Sequence, residues 1–251
     1  MGLNGSQGSG KSTLCDYLCT ALAADGGLKA VNLSLDDVYL THDERLRLGE
    51  CVHPLLRTRG VPGTHDMALL GHTLDQLAAT TPGSVAVPRF DKSIDDRHPR
   101  ERWSDTSTPL DVVLLEGWCL GARSVDEREL TEPLNELERR EDPDGSWRRY
   151  VNTQLREQFE PLYERLDFWV MLAAPGFETV LRWRTEQERK LADAVQGRGD
   201  GLMDDAELQR FVAHFERCTR QCLADLPRRV DVLFSLDEER QIVAARGVGE
   251  N

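Results

Sequence analysis

The stretch Gly5-Ser6-Gln7-Gly8-Ser9-Gly10-Lys11-Ser12, followed by Thr13, fits the template G-x-x-x-x-G-K-S/T in full. Glycines at these places let a backbone turn tightly around an anion with its N–H groups pointing inward, and the N-terminus of a following helix adds a favourable dipole. Lys11 is placed to reach the β- and γ-phosphates and Ser12 to ligate Mg²⁺, so residues 5–13 read as a cradle for a nucleoside triphosphate with Mg²⁺. The flanks agree: an apolar start precedes the loop, and residues 11–24 carry Leu14, Leu18 and Leu22 four apart on one helical face. Only Met1, Gly2 and Leu3 precede Asn4. A buried strand usually runs about five or six residues, so the expectation is a first strand that starts upstream of Met1.

Working outward, two further strands end in acids. Residues 30–35 read as a short strand running into Asp36-Asp37, and Asp111-Val112-Val113-Leu114-Leu115-Glu116-Gly117 is a continuous apolar run closed by a carboxylate. Acids at the carboxyl ends of parallel strands lie on the ligand side of the sheet. Glu116 is therefore the candidate to hold a Mg²⁺-bound water at the phosphate site, since a buried carboxylate without a partner is costly. Asp36 and Asp37 are candidates for catalytic or metal duty, with Ser12, Asp36 and Glu116 as the metal set. The alternative is that the two aspartates cap a helix beginning near Tyr39.

The remaining pattern alternates strands and helices. Residues 43–50 and 67–79 read as helices, separated by the loop Arg59-Gly60-Val61-Pro62-Gly63-Thr64-His65-Asp66, and residues 84–87 as a brief strand before a charged segment, 89–97. Residues 124–166 are charged and helical in period, broken at 141–145, and are expected to form a helical insertion spanning about 122–166. A buried strand at 167–174, a cation-rich helix through 182–190, a polar loop at 197–201, an amphipathic helix at 204–224 and a last strand at 230–235 complete the chain. The fold class is α/β, a P-loop NTPase fold with a parallel sheet covered by helices on both faces. All 251 residues are expected to form one domain.

A formal net charge of -13 argues against a polyanionic partner such as nucleic acid and suits a small ligand. No apolar run approaches the roughly 20 residues that span a bilayer, and the loop at the N-terminus leaves no room for a signal peptide, so no membrane partner and a cytoplasmic location are expected. Nothing in the pattern specifies an oligomeric state. Of the six cysteines, Cys15 with Cys19 and Cys218 with Cys222 stand four apart. Zinc pairs are more often set two to four apart at a turn, and cytosolic disulfides are rare, so these read as small buried apolar groups.

The motifs GLNGSQGSGKSTL, LSLDDVYLT, RGVPGTHD, RFDKSIDDR and LLEGWCLG occur here in that order. With them the chain resembles the D-glycerate 3-kinase group of P-loop kinases, relatives of uridine kinase, phosphoribulokinase and type I pantothenate kinase. The likeness is dense from Gly2 to about Gly121 and thin afterwards; the pairing of RGVPGTHD with FDKSIDDR is its narrowest part. It implies transfer of the γ-phosphate of ATP to a hydroxyl of a small-molecule acceptor, D-glycerate giving 3-phosphoglycerate, with Lys11, Asp36 and Glu116 catalytic. Asp36 would be the base for the hydroxyl. Tyr39, Arg59, His65, Asp66, Asp91, Lys92 and Arg97 would lie on the acceptor side, and Arg182, Arg184 and Arg189 would supply cations to the nucleotide from a basic lid at about 182–203. The family more often has an aromatic residue where Val38 stands, a position that packs rather than reacts.

Each assignment has a plainer counterpart. His65 in a Pro-Gly loop can be a hydrogen-bonded turn residue. Arg182, Arg184 and Arg189 can form a solvated helix face with Glu186 and Glu188. Trp103, Trp118 and Trp183 read as packing residues rather than adenine platforms. At the level of function the alternatives are pantothenate, a nucleoside or a sugar phosphate as acceptor, a nucleotide switch, or a non-catalytic ATP-binding protein. The absence of an Asn-Lys-x-Asp motif and the retention of Lys11, Ser12, Asp36 and Glu116 together favour a kinase.

Overall fold

The computed structural model describes residues 1–194 and 203–247. The polar loop at 197–201, and part of the segment anticipated as a lid, lie outside the described residues. In chain order the strands are β1 (Gly2–Gly5), β2 (Ala30–Ser34), β3 (Gly83–Val87), β4 (Phe90–Asp91), β5 (Asp96–Arg97), β6 (Ser104–Thr108), β7 (Val112–Gly117), β8 (Trp169–Ala173), β9 (Val232–Leu236) and β10 (Ile242–Arg246). The helices are α1 (Lys11–Gly26), α2 (His42–Cys51), α3 (Met67–Leu77), α4 (Glu136–Glu141), α5 (Ser146–Gln154), α6 (Glu160–Tyr163), α7 (Phe177–Ala194), α8 (Asp205–Ala213) and α9 (Glu216–Asp225).

The main sheet has the order β10-β9-β8-β1-β7-β2. β1 is parallel to β7 and β8, β2 is parallel to β7, and β8 is parallel to β9. The short strand anticipated around the phosphate loop is thus the centre of the sheet, hydrogen-bonded on both sides. Its Leu3 is fully buried with Cys15, Leu114 and Val170, and Leu14, Leu18 and Cys19 of α1 pack on that cluster. On the other face Leu33, Leu115 and Trp118 join a second cluster with α3 and the α5–α6 segment.

Four details depart from the sequence reading. The sheet is not wholly parallel: β10 runs antiparallel to β9 and leaves Ile242 and Val243 exposed at the edge. β3 does not join the main sheet but pairs antiparallel with β6, whose sequence Ser-Asp-Thr-Ser-Thr gives no apolar signal. The charged segment after β3 folds back on itself as the β4–β5 pair. The helix anticipated at 204–224 is two, because the His214 and Phe215 N–H groups donate three residues back, to Phe211 and Val212, and tighten the chain there. The break lets Phe215 lie edge-on to Trp118 and against Gly60, whose φ of 140° and closeness to the Phe215 ring leave no space for a side chain.

The stretch between β7 and β8 is helical in pieces, α4, α5, one π turn over Leu155–Phe159, and α6. Cys15, Cys119, Cys218 and Cys222 are buried in the apolar clusters. Among the described residues no helix is long and apolar enough to cross a membrane.

Candidate active site

β1 ends at Gly5, and the chain turns through Gly8 (φ 79°) and Gly10 (φ 87°) into α1. At Gly8 the demand is steric as well, since a Cβ would stand 2.9 Å from Cβ of Trp183. The Ser9 N–H donates to the Ser6 carbonyl at 3.1 Å, closing the loop on itself. Ser6 Oγ, Ser9 Oγ and Gln7 Oε1 are buried without a protein partner, polar atoms of the kind a ligand satisfies.

The sheet register delivers the acids. Glu116 lies opposite Leu3 of β1 and opposite Ser34 of β2, so it sits beside the phosphate loop at the end of β7. It is 3% exposed and accepts a hydrogen bond from Ser12 Oγ at 2.9 Å, while Lys11 Nζ lies 3.9 Å from its other oxygen. That second oxygen, Oε2, accepts no hydrogen bond.

Beyond β2, the cap of the short turn Leu35–Val38 is Ser34, whose hydroxyl accepts from the Asp36 N–H at 3.2 Å. Asp36 and Asp37 therefore stand in the first turn rather than at its cap, and their side chains part. Asp37 accepts from Arg89 (2.8 Å) and from the Phe90 N–H (3.1 Å), which pins the β4 strand, and burial pushes its carboxyl up. Asp36 faces the cavity, accepting from Tyr39 Oη at 2.9 Å and from Lys92 Nζ at 2.6 Å. Burial acts to raise its pKa, but Lys92, Lys11 and the two hydrogen bonds outweigh it and hold the carboxyl well below the usual carboxylate range.

A cavity of about 340 Å³ lies between these elements. Gln7, Gly8, Lys11 and Ser12 form its phosphate-loop wall, Asp36, Tyr39, Arg59 and Lys92 the opposite wall, and Trp118, Arg184, Gln187, Phe211 and Phe215 the remainder. Arg59 is held by an ion pair with Asp95 and by the Phe90 ring, 5.5 Å from its guanidinium. Four cations on the walls of one cavity, in a chain of net charge -13, mark a site for an anion.

Not every anticipated residue reaches this cavity. Asp66 caps α3, accepting from the Leu69 N–H at 2.9 Å, and pairs with Arg97 at 3.0 Å. Asp91 holds its own turn through Ser93. Arg182 pairs with Glu238 on the surface, and Arg189 is exposed. Of the three lid cations only Arg184 lines the cavity, where it lies over the Phe211 ring.

His65 is packed behind Tyr39 (centroids 4.5 Å apart) and edge-on to Phe159 (5.6 Å), with neither ring nitrogen hydrogen-bonded. Burial pulls its pKa from 6.5 down to about 3, although the Asp36 charge acts upward. The unfolded chain therefore takes up a proton at His65 before the folded one does. The stability contributed by keeping this ring neutral is complete above pH 6.5 and falls toward pH 3, at up to about 1.4 kcal/mol per pH unit. His65→Phe should flatten the fall in melting temperature between about pH 7.5 and 5.5; a pH slope equal to that of the parent would show that His65 is not a buried neutral group.

A phosphate loop, a serine-bonded carboxylate at the end of the adjacent strand and an ionised aspartate across a cationic cavity define the class: an ATP-dependent phosphotransferase of the P-loop type. The chain is 33% identical over 222 residues to "uncharacterized kinase mug58" of Schizosaccharomyces pombe, covering 86% of this chain and 77% of that protein. It is 30% identical to the chloroplastic D-glycerate 3-kinase of Arabidopsis thaliana over 98% of this chain and 54% of that protein, so it spans about half the plant protein's length. Among solved structures, a D-glycerate 3-kinase from Cryptococcus neoformans superposes with a TM-score of 0.79 at 27% identity, covering 98% of this chain and 88% of that one. No protein-family model matches the chain. The chain belongs to the P-loop kinase family that includes D-glycerate 3-kinase.

No sequence motif marks Gln187, Phe211 and Phe215, which line the cavity, or Arg240, which donates to the Gly8 carbonyl. Phe211 and Phe215 stand four apart in an amphipathic stretch, a pattern that marks a buried face but not what the face touches.

Proposed function

We propose that this kinase transfers the γ-phosphate of ATP to a hydroxyl of D-glycerate, giving 3-phosphoglycerate and ADP. The observation that carries the reading is the ionised Asp36, set across one cavity from Lys11 and Ser12 and flanked by the cations Arg59 and Lys92. The wall opposite the phosphate loop thus combines a proton acceptor with positive charge suited to a small hydroxy acid.

Phosphoryl transfer asks the protein for in-line positioning and for positive charge on the transferring group more than for covalent chemistry. Lys11 meets the β- and γ-phosphates, the first-turn N–H groups of α1 hold them, and Arg184 adds charge from α7. The acceptor hydroxyl oxygen attacks the γ-phosphorus, the bond to the ADP oxygen breaks, and the hydroxyl proton passes to an Asp36 oxygen. Tyr39 keeps one of those oxygens oriented. Lys92, far more exposed than Asp36, is the partner that yields the other and turns to the acceptor carboxylate with Arg59.

The residues fit Mg²⁺. The Ser12 hydroxyl and the buried, unbonded Oε2 of Glu116 are hard oxygen donors, and the described residues form no cluster of three or more His, Cys, Asp or Glu that would hold a metal alone. Mg²⁺ is commonly held by one or two protein oxygens plus substrate phosphates and water. When bound it neutralises charge on the phosphate oxygens; Ser12 and Glu116 would hold it, directly or through a water.

ADP release with MgATP across D-glycerate, pantothenate, uridine and ribulose 5-phosphate tests the acceptor. Turnover is expected with D-glycerate; turnover with one of the others alone would replace it.

A further inference from the structure

Arg240 lies in the turn between β9 and β10 and takes the left-handed conformation, φ 67°. The turn is closed without its side chain. The Asp237 N–H donates to the Gln241 carbonyl at 2.9 Å, and the Asp237 carboxylate accepts from the Glu239 and Gln241 N–H groups at 2.9 and 2.8 Å. Glycine would occupy the position with less strain. A non-glycine residue held in this region by its surroundings points to a use for the side chain.

That side chain reaches the phosphate loop. Its Nε donates to the Gly8 carbonyl at 2.9 Å, its Nη2 pairs with Glu186 of α7 at 2.8 Å, and its guanidinium lies over the Trp183 ring, 5.1 Å from the centroid. Trp183 is fully buried, backs Gly8 directly, and donates Nε1 to the Glu238 carbonyl at 2.7 Å. The Gly8–Ser9 peptide is thereby held at both ends, its carbonyl by Arg240 and its N–H by the Ser6 carbonyl. A planar peptide fixed at both polar groups cannot flip. The loop then keeps one shape, with the first-turn N–H groups of α1 turned to the phosphates.

We infer that Arg240 is a positioning residue for the nucleotide, fixing the shape of the phosphate cradle and tying it to the helix that brings Arg184 and Gln187 to the cavity. The inference rests on the reading of this loop as an ATP site. Arg240→Gly separates the role from a structural one, because glycine relieves the turn while deleting the side chain. The dissociation constant and KM for ATP should rise roughly tenfold, the loss expected for a charge-assisted hydrogen bond. The KM for the acceptor and the melting temperature should stay close to those of the parent. Arg240→Lys, which keeps the charge without the fork, should fall between the two, and Glu186→Gln should weaken ATP binding less than Arg240→Gly.

ATP affinity within about twofold of the parent in Arg240→Gly would overturn the inference, since a charge-assisted hydrogen bond is worth more than that. So would a joint loss of melting temperature, acceptor affinity and ATP affinity, which would make the residue structural. A parent protein that binds no ATP would overturn the site reading itself, and that outcome is told apart by the titration of the unchanged chain.

Discussion

Asp36→Asn should lower kcat by roughly 10²- to 10⁴-fold, the range over which a positioned base contributes, while the affinity for ATP stays nearly unchanged. Asparagine keeps the shape of the side chain, and with its oxygen accepting from Lys92 Nζ and its amide N–H donating to Tyr39 Oη the local packing survives. What it lacks is the negative charge that draws the hydroxyl proton. On the proposed reading the nucleotide is met elsewhere, by the turn through Gly8 and Gly10 and by Lys11 and Ser12, and none of these hydrogen-bonds to Asp36. ADP release measured beside calorimetric titration with ATP checks both halves. Turnover within about tenfold of the parent would send the proton to another acceptor. Loss of ATP affinity along with turnover would place Asp36 among the groups that hold the nucleotide or its metal.

The largest effect on stability is expected at Asp142→Ala. Asp142 is fully buried at the end of α4 and accepts from the Trp147 N–H at 2.8 Å, the Arg148 N–H at 3.2 Å and Arg148 Nη1 at 2.9 Å. The other hydrogen bonds of the Arg148 guanidinium go to backbone carbonyls, those of Leu130 and Thr131 and that of Asp142 itself. Removing the carboxylate leaves a guanidinium buried without its counter-charge and two amides without an acceptor. Breaking one side of such a pair costs about 3–5 kcal/mol, whereas replacing both with apolar groups costs far less. Denaturant unfolding should therefore show a smaller loss for Asp142→Ala with Arg148→Met than for Asp142→Ala alone. Equal losses would mean that the carboxylate acts through the amides of α5 and not through the charge.

What could be read from the sequence was whatever a local pattern carries. The phosphate loop is contiguous, and its glycines and Lys11 declare their use through spacing alone. Glu116 was legible because an unbroken apolar run can end in an acid at little cost only where something takes up the charge. Asp37, Asp66 and Asp91 look as reactive in the sequence as Asp36 does, yet each is consumed by a nearby backbone N–H. Asp66 and Asp91 are taken up three and two residues along the chain, by a helix cap and a turn, whereas Asp37 is taken up by Arg89 and Phe90, 52 and 53 residues away, and no spacing encodes that. His65 belongs to the same class: its motif points to the acceptor, and packing turns it behind Tyr39. Arg240 was illegible for the opposite reason, since 232 residues separate it from Gly8 and the turn that carries it reads as polar surface.

The pairing of Leu3 with Glu116 makes sheet alignment a chemical matter. Side chains alternate between faces along a strand, so slippage of β7 by one residue would turn Glu116 away from Ser12 and present Leu115 there instead. In a chain whose central strands were misaligned, the Ser12 hydroxyl would thus face no carboxylate.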